Sequence, residues 1–68
     1  MITEIGIIAG EIWHHLDQQG EISFSRVVSG IERPRDLALM SLGWLAREGH
    51  VIVRQDGQDF RIQLRRSE

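Results

Sequence analysis

The chain has 68 residues, 41% of them apolar and 26% charged, which is enough for one small core and no more than one domain. Its net charge of −2 is the wrong sign for a strong polyanion binder, and with no cysteine it has no disulfide, thiolate–zinc or thiol redox chemistry. No basic segment followed by an apolar run opens the sequence, and no apolar run approaches the roughly 20 residues that cross a bilayer. A cytoplasmic protein with no membrane partner is therefore the expectation.

A first helix is predicted over residues 3–19, with Thr3 as N-cap and Glu4 favouring the positive end of the dipole. Ile5, Ile8, Ala9, Ile12 and Leu16 recur at helical spacing as one apolar stripe, which Trp13 widens. Gly20 is the candidate left-handed cap at its end. A short strand follows at 21–23. Ser23 then caps a second helix over 24–29, "FSRVVSG", which buries Phe24, Val27 and Val28 and stops at Gly30. Ile31 plugs the turn into the core.

Pro34 suits a first helical turn and pushes Arg33 to an extended conformation, so a third helix is predicted over 34–48, closed by Gly49. Residues set at 100° intervals place Ala38, Ser41, Leu42 and Leu45 on its buried stripe, with Asp36, Met40, Gly43 and Arg47 opposite. A hairpin fills 50–65, because "HVIVR" and "DFRIQL" alternate with period two around "QDGQ". If Asp56 and Gly57 are the central turn residues, Val51 faces Ile62 and Val53 faces Phe60 on the core side, with Leu64. Ile52 then faces Arg61, and Arg54 faces and is partly neutralised by Asp59.

Three helices cannot enclose a core unless a further layer covers their open side, and a hairpin with one apolar face supplies it. The expected fold is α+β in the order α-β-α-α-β-β over residues 1–68, a winged helix-turn-helix with a small antiparallel sheet and a C-terminal β-hairpin wing. "IGIIAGEIWHHLDQQGEIS" and "LGWLAREGHVIV" together resemble a family of small bacterial and archaeal winged helix-turn-helix proteins, over nearly the whole chain. The resemblance implies that fold and self-association; it implies no ligand or activity. The turn "IERPRD" is slightly longer than the family's, which bears on where the third helix starts.

Charge is polarised along the chain. Residues 1–32 hold one Arg and five acids, net −4; residues 33–66 hold seven Arg and four acids, net +3; Glu68 brings the total to −2. Such asymmetry can orient a protein toward a polyanion or make complementary faces of a dimer. The candidate phosphate contacts are Arg33, Arg35, Arg47 and Arg54, of which the first two stand by the free amides of the third helix. The face of that helix is poor in base readers, since it offers one acid, one thioether, one glycine and one cation. The wing tip Gln55-Asp56-Gly57-Gln58 carries no cation.

Leu39, Met40, Trp44 and Ile52 are the candidate protein interface: exposed together, they form an apolar patch of the kind that marks association. Packing of Trp44 inside the fold is the preferred alternative. Gly6 and Gly10 would let another helix approach, although close packing within the fold explains them as well. His14 and His15 point about 100° apart and cannot share one ion, so surface histidines rather than a metal site are expected. No catalytic constellation, cofactor motif or sizeable substrate pocket is legible. The leading expectation is a module that binds double-stranded DNA weakly through its backbone in a transcription-associated role. The alternative is a homodimeric protein-interaction module that has lost DNA readout.

Overall fold

Ile8, Ala9, Ile12 and Leu16 are the buried stripe of α1 (Ile2–Gln19) in the computed structural model, which describes residues 1–66. The helix starts one residue before the expected cap: Thr3 lies inside it, and the Met1 carbonyl accepts the first bond from Ile5 N–H at 3.0 Å. Gly20 closes the helix, its N–H donating to Leu16 O at 2.8 Å. Its φ of 77° and ψ of −157° are a bend essentially reserved for glycine, not the left-handed cap expected.

Strand β1 (Ile22–Ser23) leads directly into α2 (Phe24–Ile31). The Ser23 hydroxyl accepts from Arg26 N–H at 3.2 Å, satisfying one of the amides that every helix start leaves open. The helix passes Gly30 and ends with Glu32 in the left-handed region, φ 56° and ψ 46°. Gly30 serves a different need, because a Cβ there would come within 2.3 Å of the His15 ring. Left-handed backbone strains any residue with a Cβ, so Glu32→Gly is expected to raise stability by about 0.5–1 kcal/mol, read as a higher urea midpoint.

Helix α3 (Arg35–Arg47) starts after Pro34, whose carbonyl accepts from Ala38 N–H at 3.0 Å. Its buried residues are the four that the periodicity selects: Ala38, Ser41, Leu42 and Leu45. Ser41 is fully buried at no polar cost, because its hydroxyl donates to Leu37 O at 2.8 Å. At the helix end Gly49 takes φ 81°, and His50 N–H donates back to Leu45 O at 2.9 Å, turning the chain into the sheet.

The hairpin consists of β2 (Val51–Asp56) and β3 (Asp59–Leu64). Its register differs from expectation by two residues: Val51 faces Leu64, Val53 faces Ile62, Gln55 faces Phe60 and Asp56 faces Asp59. The central turn residues are therefore Gly57 and Gln58. Gly57 takes φ 65° at the first turn position, where glycine is preferred in one of the two tight hairpin turns. A shift of two preserves the pleat, so Val51, Val53, Phe60, Ile62 and Leu64 keep the core face as expected. The cross-strand partner of Arg54 changes: it is Arg61, not Asp59, and Ile52 faces Gln63.

Strand β1 pairs with β3, Ile22 opposite Ile62, giving the sheet order β1-β3-β2. The sheet lies over the helices, and Phe24, Ile62 and Ile12 meet in the core with no exposed surface. The expected order α-β-α-α-β-β and small antiparallel sheet stand, the sheet having three strands. No helix among the described residues is long and apolar enough to cross a membrane.

Candidate functional site

The outward side of α3 presents Leu39, Met40 and Trp44, which are 46%, 49% and 47% exposed. The 13-residue helix has one buried stripe, and its exposed remainder carries Leu39, Met40, Trp44 and Ala46 beside Arg35, Asp36 and Arg47. Leu39 lies on the flank toward the hairpin. Trp44 lies on the opposite flank, its ring 6.1 Å from that of His50 and bordering a hollow with Ile2, Ile5 and Gly6. Ile52 is 40% exposed but belongs to the outer face of the sheet, so the fold does not join it to the α3 residues in one monomer surface.

Between α3 and the hairpin runs an apolar groove of about 310 Å³, lined by Leu39, Leu42, Gly43, Ala46, Val53 and Phe60. Gly43 is on the outward face as expected, whereas Ala46, Val53 and Phe60 were not expected at the surface. The available signal was the small side chains of Gly43 and Ala46 on the Leu39 flank of the helix, which cannot fill the space beneath the wing.

The arginines are mostly committed elsewhere. Arg33 holds Glu11 in a two-pronged pair, Nε to Oε1 at 2.8 Å and Nη2 to Oε2 at 2.6 Å. Glu21 Oε2 accepts from Arg54 Nη2 at 2.6 Å and from Arg61 Nε at 3.4 Å. Arg66 Nη2 donates to Asp17 at 2.9 Å. Arg35 stacks its guanidinium over the Phe24 ring, 4.9 Å from the centroid, a cation–π contact that orients it along the surface. Of the four candidate phosphate contacts, only Arg47 has neither a carboxylate nor a ring partner among the described residues. Acids of the first half thus pair with four of the seven arginines of the second half within one molecule. Glu11, Glu21 and Asp17 carry that role, and the opposite charge balance of the halves was its signal.

These pairings move the carboxyls' protonation. Arg33 beside Glu11 and Arg54 beside Glu21 hold both glutamates below their ordinary 4.5. Asp59, Oδ1 accepting from Phe60 N–H at 2.8 Å and Ser25 N–H at 3.3 Å, is held below 3.8 and ties the wing to the start of α2. A carboxyl depressed on folding contributes stability that is complete above its unfolded value and drains away as pH falls toward the folded one. Urea midpoints are therefore expected to be flat from neutral pH down to about 5 and to decline below about 4.5. A midpoint that does not decline means that these pairs do not form in solution. The groups are exposed, so the change per pair is small.

Residues 1–64 match the family described as "Winged helix-turn-helix domain (DUF2582)", and the chain belongs to that family. It is 34% identical over 68 residues to the uncharacterized protein MJ1608 of Methanocaldococcus jannaschii, covering 96% of each chain. Among solved structures it is similar to the solution NMR structure of protein BT2368 from Bacteroides thetaiotaomicron, with 26% identity and a TM-score of 0.79, covering 91% of this chain and 76% of that one.

Proposed function

We propose that this winged helix-turn-helix domain acts by binding protein through the outward side of α3, and that the occupant is a second copy of the chain. The fold is of a DNA-binding type in general, but its reading helix supplies Leu39, Met40 and Trp44 where base edges would require hydrogen-bonding side chains. The observation that carries the reading is that this apolar surface is exposed while Arg33 and Arg54 are paired with Glu11 and Glu21. Four of the seven arginines of the basic second half, Arg33, Arg54, Arg61 and Arg66, are paired with acids of the first half, which supports a partner other than nucleic acid. A chain of 68 residues also has much to gain from the surface that a partner buries.

One observation favours a second reading. Arg47 is exposed near the end of α3, and with Arg35 it could hold a duplex backbone weakly and without sequence preference. Such contact would support a transcription-associated role.

Sedimentation equilibrium of the whole chain tests the first reading. The wild type is expected at twice the mass of one 7.8 kDa chain. Met40→Glu, a change at an exposed site that leaves the fold intact, is expected to shift the particle to one chain. A wild type that stays at one chain's mass at every concentration overturns self-association.

A further inference from the structure

Resting on that reading, we propose that two copies join edge to edge through β2, forming a continuous six-stranded sheet with α3 of each copy meeting beneath it. The sheet order β1-β3-β2 leaves β2 with one open side, and an edge strand with unpaired N–H and C=O groups is a template for another strand. Arg65 N–H donates to His50 O at 2.9 Å, so His50 and the alternate residues Ile52, Arg54 and Asp56 direct their backbone groups to β3. Val51, Val53 and Gln55 direct theirs to the open side.

A two-fold pairing that uses all three places Val53 opposite the partner's Val53 and Val51 opposite the partner's Gln55. In the same register His50 lies opposite the partner's Asp56, and Ile52 opposite the partner's Arg54. No like charges face each other. Sliding two residues toward the tip sets Arg54 against the partner's Arg54, and sliding two toward the base sets His50 against it, so charge favours the centred register.

The same arrangement explains surfaces that the monomer leaves open. Val53 and Phe60 form one wall of the α3 groove, so an added strand extends the sheet above Leu39 and Gly43. The two-fold axis, perpendicular to the sheet, brings the partner's α3 up to the same groove. Its Leu39 and Met40 are the side chains available to fill it. Exposed Ile52, on the opposite sheet face, covers the aliphatic stem of the partner's Arg54. Ile52, separated from Leu39 and Met40 in one copy, becomes part of one interface with them.

Amide hydrogen exchange on the whole chain, above and below the concentration of association, tests the proposal. Val51, Val53 and Gln55 N–H are expected to slow only in the particle of doubled mass. Gln55→Pro removes an edge N–H without touching the β3 ladder, a position at which sheets admit proline, and is expected to weaken the dimer about tenfold or more with an unchanged circular dichroism spectrum. Ile52→Glu, facing the partner's Arg54, is expected to dimerise at least about tenfold more tightly than Ile52→Lys. A doubled mass with fast exchange at the three amides, or equal affinity of the two Ile52 variants, overturns the edge pairing and leaves self-association through another surface standing. A single-chain mass at all concentrations overturns both. Slow exchange at these amides in a single-chain particle means that the edge is covered within the monomer, and the edge proposal fails.

Discussion

Phe24→Ala is expected to cost about 3–5 kcal/mol, most of the roughly 3–10 kcal/mol available to a chain of 68 residues. Phe24 has no exposed surface and stands where α2 begins, so its ring is the point at which helix, sheet and α3 meet. Phe60 of the wing packs edge-on to it at 6.4 Å, and Arg35 at the start of α3 lies over its face at 4.9 Å. Truncation opens a cavity that a two-layer domain this small cannot collapse around without moving one of the layers. It also removes the support of the wing and of the Arg35 side chain. A thermal melt should show the midpoint lowered by more than about 12 °C or the cooperative transition lost.

The second large effect is a gain. Glu11→Gln combined with Glu21→Gln is expected to raise affinity for mixed-sequence duplex about tenfold or more at low salt. The two changes take the net charge from −2 to zero and release Arg33, Arg54 and Arg61 from their carboxylates. Each arginine that then meets a phosphate displaces counterions, so the new affinity should fall steeply as salt rises. Fluorescence anisotropy of labelled duplex at two salt concentrations reads both quantities. If the variant binds no better than the wild type, intramolecular neutralisation is not what keeps the domain off DNA.

Most of the fold was legible because its signals are local and periodic. The α3 stripe followed from spacing alone: Ala38, Ser41, Leu42 and Leu45 are the residues that the structure buries. Ser23 was legible as a cap because a hydroxyl before a helix has one good use. The hairpin register was not, since Asp56-Gly57 and Gly57-Gln58 are both serviceable turn centres and the two registers differ by a full pleat, burying the same side chains. The end of α2 was missed for a related reason. Gly30 was read as a stop, but the His15 ring needs its missing Cβ, and Glu32 takes the strained position instead. For the surface, sequence could name the arginines and the apolar residues but not their partners. Glu11 and Arg33 are 22 residues apart, and Glu21 and Arg54 are 33 apart; no local rule links such pairs. The open edge of β2 depends on strand order, which becomes known only when β1 is seen to pair with β3.

The most direct test of the claim that α3 meets protein and not DNA is a titration of mixed-sequence duplex into isotope-labelled wild type at low salt, followed by amide chemical shifts. The amides from Arg33 to Arg47 are expected to stay in place while the particle keeps its doubled mass. Shifts along that segment that grow with duplex and fade as salt is added would contradict it.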